Sequence, residues 1–256
     1  MSRSAAALSP AALPPAALPT AAPPTAAPSG GESSEQVAAL RSRISGMEAT
    51  KLETRALPTL PALAAILPGG ALRQGAAYSV EGSTTLVMAL LAGPSQAGAW
   101  CGVVGLPDFG AEAATRFGIE LDRLVLVPTP GDQWLTVTAA LVDVLTVVVI
   151  RPPGRTSDAD VARLGARLRQ RGCTLIVVGD WPQSEARLGI ETSRWSGLGQ
   201  GHGYLAGREV TVTSSGRNGP GLARSARLWL PDERLEFRAD EPPRRAVVPV
   251  PREGAG

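Results

Sequence analysis

The chain is poor in lysine, histidine and cysteine, and it lacks any long apolar run. Lys51 is the only lysine beside 24 arginines, an imbalance read here as GC-rich coding rather than as a phosphate-binding surface. No stretch of about 18 apolar residues occurs, so no membrane-spanning helix is expected. Cys101 and Cys173 share no CxxC spacing and each abuts an apolar run. That argues against a disulfide framework or a zinc site and fits a reducing cytoplasm. His202 is the sole histidine, and no nucleophile-elbow pattern exists to converge on it, so a Ser-His-Asp type of site is not expected. The formal net charge of +2 leaves the partner class open.

What is present divides the chain into five parts. Residues 1–32 are almost entirely Ala, Pro, Ser, Leu and Thr, and Arg3 is the only charge before Glu32. Their recurrent prolines exclude a helix and leave no continuous apolar core for a secretory signal, so a disordered tail is expected. Residues 33–54 start with Ser33-Ser34-Glu35-Gln36, a capping signature, and continue with Val37, Leu40, Ile44 and Met47 at helical spacing. This amphipathic helix either docks on its own domain or offers those four side chains to another chain. Pro58, Pro61 and Pro68 favour the second reading, with residues 55–74 as a proline-rich linker. Residues 75–238 form the core, and the proline- and arginine-containing residues 239–256 a second disordered tail.

Within the core, apolar runs at 77–80, 100–104, 124–127, 145–150 and 175–178 alternate with helical patterns at 84–91, 111–117, 134–142 and 158–171. Near-continuous Val/Leu/Ile strands separated by helices predict an α/β fold with a mainly parallel sheet covered on both faces. After Gly207 the pattern changes to Val210-Thr211-Val212-Thr213 and Ala226-Arg227-Leu228-Trp229-Leu230, joined by a turn-rich stretch. Those alternating segments predict a C-terminal antiparallel hairpin.

The first strand leads through Gly82 into Ser83, Thr84 and Thr85 at the start of a helix, the setting of a phosphate-binding loop. Such a loop needs Gly-x-x-x-x-Gly-Lys-Ser/Thr, whose amides wrap the phosphates while the lysine neutralises them. Gly82, Ser83, Thr84 and Thr85 are therefore a vestige, with neither amide nest nor cation. Asp108 is the only acid just after the second strand and reads as a turn or cap residue. The fourth strand ends in Ile150-Arg151-Pro152-Pro153, and a positive charge there would repel a magnesium ion.

Several stretches together resemble the RecA-like superfamily. Gly69-Gly70-Ala71-Leu72-Arg73-Gln74-Gly75 is similar to the GGLxxG approach of those domains, and Ser83-Thr84-Thr85-Leu86 to the start of their phosphate-loop helix. FGAEAATRFGIELDRLVL from Phe109 and PTPGDQW from Pro128 are similar to the segments around their third strand. Within that superfamily the core most resembles the actinobacterial ImuA-prime proteins, relatives of the ImuA/SulA group. The resemblance implies a RecA-like fold and a non-catalytic accessory of damage-induced, error-prone translesion synthesis. The implied partners are an ImuB-like polymerase homologue and an error-prone replicative-type DNA polymerase. The missing loop, acid and base imply a pseudo-ATPase with no catalytic residue, cofactor or metal.

Two rival functions remain at this stage, a divergent RecA-like ATPase or recombination factor and a SulA-like inhibitor of cell division. Residues 181–203 occupy the place of a DNA-contacting loop in RecA-type domains, and Trp181, Arg187, Arg194 and Trp195 mark them as a DNA or partner loop. Glu185 and Glu191 offset the arginines, so a protein-contact or packing role is expected ahead of a weak direct grip on DNA. The helix at 158–171 carries Val161, Leu164 and Leu168 on one side and Arg163, Arg167 and Arg171 near the other, a solvated arginine stripe.

Overall fold

Strands made only of Val, Leu, Ile and small residues have no polar face to give to water, so they belong in the middle of a sheet covered on both sides. The computed structural model describes residues 56–199, 202–216 and 223–240, all within one compact unit spanning Ala49–Gly256. Strands β1 (Ala77–Val80), β2 (Cys101–Val104), β4 (Val147–Ile150) and β5 (Thr174–Val178) are buried at every residue. Strand β3 (Leu124–Val127) is not, because it forms one margin of the sheet.

The remaining strands are β6 (Ala186–Gly199), β7 (His202–Gly216), β8 (Arg224–Trp229) and β9 (Arg238–Ala239). The described strands form a 9-stranded sheet in the order β3-β2-β4-β5-β1-β6-β7-β8-β9. Pairing is parallel from β3 to β6 and antiparallel from β6 to β9. The architecture is thus α/β, with a mainly parallel sheet, flanking helices and an antiparallel C-terminal part.

Helices α1 (Thr84–Gln96), α2 (Ala111–Arg116), α3 (Trp134–Val142) and α4 (Asp158–Arg171) connect the parallel strands. One core joins α1 to the face carrying Tyr78, Val80, Val103, Val149 and Ile176. The other joins α3 and α4 to Ala77, Val104, Val148, Leu175 and Val177. Helix α4 shows how its limits are encoded. Ser157 accepts a hydrogen bond from the Asp160 amide at 3.1 Å, and Gly172 stops the helix in the left-handed region. Between those limits Val161, Leu164 and Leu168 are buried and the arginines lie outside.

The expected proline-rich linker is instead part of the core. Leu63, Ile66, Leu67 and Leu72 are fully buried, and Leu57 nearly so. Leu57, Leu60, Leu63 and Ile66 recur every third residue, which suits the tight turn at Pro61–Leu63; this turn and the next, Pro68–Gly70, are each started by a proline at the first position. The prolines begin turns here and do not separate units. The Leu57 amide donates to the Leu72 carbonyl at 2.7 Å, and Arg224 of β8 donates to the Leu67 carbonyl. Residues 33–54, with Val37, Leu40, Ile44 and Met47, and residues 1–32 and 241–256 of the two tails lie outside the described residues, whereas Ala239, expected to open the second tail, ends β9.

The passage from β5 to β6 crosses β1 through residues 179–185 without a helix. A parallel crossover usually needs a dozen or more residues. Here Trp181 replaces the helix: it is only 2% exposed and packs in the same core as Val161, Leu164 and Leu168.

Candidate functional site at the carboxyl ends of the parallel strands

In open α/β sheets, ligands bind beyond the carboxyl ends of the strands, where loops of different connections converge. Gly82, Ser83, Thr84 and Thr85, the segment expected to be a vestigial phosphate loop, stand at that edge. Only residues 81–83 separate β1 from α1. Ser83 is the helix cap, its Oγ accepting from the Leu86 amide at 3.2 Å, and its side chain is thereby committed to the helix. Thr84 and Thr85 are half-buried in the first turn. Strand and helix meet directly, leaving no loop whose amides could surround a phosphate.

The charges at this edge are paired with one another. Arg151, just past β4, donates from Nη1 to Asp108 Oδ1 at 2.8 Å, joining the ends of β4 and β2. The hydrogen bond from Arg151 is the chief reason that the Asp108 carboxyl lies below its ordinary range. Gly105 makes the approach possible. Its φ is +75°, and a Cβ there would stand 2.6 Å from the Arg151 carbonyl oxygen, so any side chain would push the two strand ends apart. At the end of β5, Asp180 pairs with Arg187 of β6, and Glu81 after β1 lies 3.6 Å from the same guanidinium.

The structure separates the four residues expected to form a DNA or partner loop. Residues 186–199 are a strand, which corrects the expectation of a loop across 181–203. Trp181 is interior and presents no surface to a ligand. Arg187 belongs to the charged edge. Arg194 and Trp195 lie farther along β6, in the part that continues past β1. Trp195 is 50% exposed and stacks beneath the Arg208 guanidinium at 5.5 Å, across the hairpin from its register partner. His202 is a strand residue paired with Gly199.

Strands β6 and β7 are 14 and 15 residues long, far beyond the last pair with β1, Val80 to Leu188. They form a ribbon that carries Leu198, Tyr204 and Leu205, all more than half exposed. Sequence reasoning missed these three residues and the Glu81 and Asp180 partners of Arg187. The ribbon has a signal in hindsight: residues 186–216 contain no proline and run without interruption into the strand around Val210. Among the described residues no three His, Cys, Asp or Glu side chains are grouped so as to hold a metal ion, and no helix is long and apolar enough to cross a membrane.

Residues 65–183 match the family described as the MT3502 N-terminal domain. The uncharacterized protein Rv3395c of Mycobacterium tuberculosis is 32% identical over 191 residues, covering 74% of this chain and 82% of that protein. The family match spans strands β1 to β5 with the helices between them and ends in the Trp181 crossover, before β6.

Proposed function

The chain belongs to the family of the MT3502 N-terminal domain and Rv3395c, and for this member we propose a non-catalytic, RecA-like accessory role in error-prone translesion DNA synthesis. It acts in the cytoplasm through protein contacts with an ImuB-like polymerase homologue and an error-prone replicative-type polymerase. The assignment to that process rests on the sequence resemblance. The non-catalytic part rests on one observation, the Arg151–Asp108 pair at 2.8 Å.

Phosphoryl transfer in this kind of domain needs an acid at the end of the fourth strand for magnesium and another after the second strand for the attacking water. In this chain the first position carries a cation, and the nearest acid to the second is held by that cation. Nucleotide with magnesium therefore does not fit the residues present. The metal would meet Arg151, the phosphates would find no amide nest between Val80 and Thr84, and no lysine stands in residues 81–85.

Calorimetric titration of ATP with magnesium into the full-length protein tests the non-catalytic part, with no binding heat and no hydrolysis above background as the expected result. Saturable millimolar or tighter binding would overturn it. The partner assignment is tested by co-purification from DNA-damaged cells: recovery of the polymerase-like protein supports it, and recovery of a division protein instead would overturn it.

A further inference from the structure

At the end of the parallel strands opposite the charged edge, the described residues border a cavity of about 560 Å³. Residues 73–77, which lead into β1, form one wall. The last two turns of α4 form the second, and the crossover residues 181–185 the third. Glycine shapes two of these walls. Gly165 stands inside α4, where glycine weakens a helix. A Cβ there would lie 3.3 Å from Gln183 Oε1 and 3.5 Å from Arg169 Nη1, so the missing side chain is a notch in the cavity wall. Gly75, at φ +76°, lets the first wall press against the helix, since a Cβ on it would stand 3.1 Å from the Arg169 Cα.

The lining is short of negative charge. Arg73 is fixed in place: its amide donates to Tyr78 Oη at 3.0 Å, its carbonyl accepts from Thr174 Oγ1 at 2.8 Å, and its Nη1 donates to Glu185 Oε1 at 2.9 Å. Glu185 is the only acid among the described lining residues, and it does not satisfy the guanidinium, because Arg73 Nε is buried without an acceptor among the described residues. Arg171 is held by Asp143 at 3.2 Å. Arg169 has no hydrogen bond or ion pair among the described residues, which leaves one positive charge uncompensated. The rest of the chain does not supply the balance. Residues 1–55 carry five basic and four acidic side chains, residues 217–222 only Arg217, residues 241–256 three basic and two acidic, and residues 200–201 no charge.

We propose that this cavity binds a small monocarboxylate, with the carboxylate on the Arg169 guanidinium at the Gly165 notch. A guanidinium presents parallel N–H donors that match the two oxygens of a carboxylate, and a single negative charge balances the one left over. A phosphate dianion overshoots that balance beside the carbonyl end of α4, which disfavours anions. Gln74 and Gln170 line the same space and offer amide groups to the polar body of the ligand, while Trp181 and Pro182 supply an apolar wall. The volume lies within the range of small-molecule sites. None of these residues belongs to the charged edge, so the site stands or falls apart from the function proposed above.

NMR titration of the full chain with sodium lactate at constant ionic strength tests the site. The Gly165 and Gly172 amides should shift saturably, with a Kd on the order of 1 mM for a contact centred on one guanidinium. Arg169→Gln should weaken binding about tenfold or more, the loss expected of a hydrogen bond to a charged group. Arg163→Gln, on the same helix but outside the cavity, should bind as wild type does. Gly165→Leu should fill the notch and abolish the shifts; if it loses its native circular dichroism, the exposed Arg169→Gln carries the test. Sodium phosphate at the same ionic strength should give no saturable shift. A wild type that lactate leaves unchanged would overturn the proposal, as would lactate shifts that survive in Arg169→Gln or in a folded Gly165→Leu. Phosphate binding as tight as that of lactate would overturn the assignment to a monocarboxylate.

Discussion

Ile66 tests whether the stretch before β1 is core. It is fully buried, between Leu63 and Leu67 in the same cluster as α1. Changing Ile66 to Ala removes three carbon groups, which at about 0.8 kcal/mol per buried group amounts to roughly 2.4 kcal/mol of lost transfer free energy. The cavity left behind adds to this, because a site flanked by prolines and fixed to Leu72 and Arg224 collapses only in part. The expected loss is therefore about 3–4 kcal/mol. In a domain of this size that lowers the melting temperature by about 6–16 °C. The assay is urea unfolding followed by circular dichroism, with Ala65→Ser at an exposed neighbouring position as control. A midpoint for Ile66→Ala indistinguishable from that control would refute the packing argument and restore the linker reading.

Three further outcomes follow from packing and charge. Gly93→Ala in α1 should be more costly than an ordinary helix-interior substitution, because its Cβ would stand 2.8 Å from both the Pro58 carbonyl oxygen and the Thr59 Cα; an unchanged unfolding midpoint would contradict the contact. Burial pushes the Cys101 and Cys173 thiols up to about 12, so a thiol reagent at pH 8 should label neither until the protein unfolds. The Asp143 carboxyl, held at about 2 chiefly by its hydrogen bond from Arg167, contributes stability that is present above its ordinary value of 3.8 and lost as pH falls through about 2. Asp143→Asn should therefore flatten the acid side of the melting curve, and a wild-type minus variant difference that stays constant from pH 4 to pH 2 would refute the pairing.

The parallel core was legible because its signal is local. The apolar runs around 77–80 and 124–127 and the helical patterns at 134–142 and 158–171 became β1, β3, α3 and α4 with those limits. Helix α1 extends past its expected end at Leu91 to Gln96 through Pro94. Gly93 belongs to the packing against residues 58–60 there, and that contact is visible only once the chain is folded. Residues 57–72 are not legible as core because prolines ordinarily break elements, whereas here they open short turns whose leucines face inward. Strand β6 was missed for the opposite reason. Glu191 to Leu198 is largely polar, contains glycine and is mostly exposed, so its composition lacks the apolar run that marks a buried strand. Its partner is what orders it, through pairs such as Trp195 with Arg208. The charged edge is half legible: Arg151 and Asp108 stand out in the sequence at the ends of two strands, but their pairing depends on β2 and β4 being neighbours, which is a property of strand order.

The same pair allows a last test of the proposed non-catalytic reading, whether reversing one charge can turn this edge into a nucleotide site. Arg151→Asp replaces the cation at the end of β4 with a carboxylate and releases Asp108, whose titration should move up toward its ordinary value as the hydrogen bond from Arg151 disappears. Two acids would then face the carboxyl edge, close to what a magnesium site requires. Binding should still not appear, because metal ligands supply only part of nucleotide affinity. The backbone amides of a phosphate loop supply much of the rest, and the three residues 81–83 between β1 and α1 are too few to wrap a phosphate. The variant should stay folded, since the pair is exposed on both sides. NMR titration of Asp108 and calorimetry with ATP and magnesium read the two halves separately. An upward-shifted Asp108 with no nucleotide binding is the outcome expected of a dismantled site. Magnesium-dependent ATP binding by Arg151→Asp would mean that a single cation silences an otherwise competent site, and the non-catalytic reading of this fold would have to be replaced by one of a site held closed.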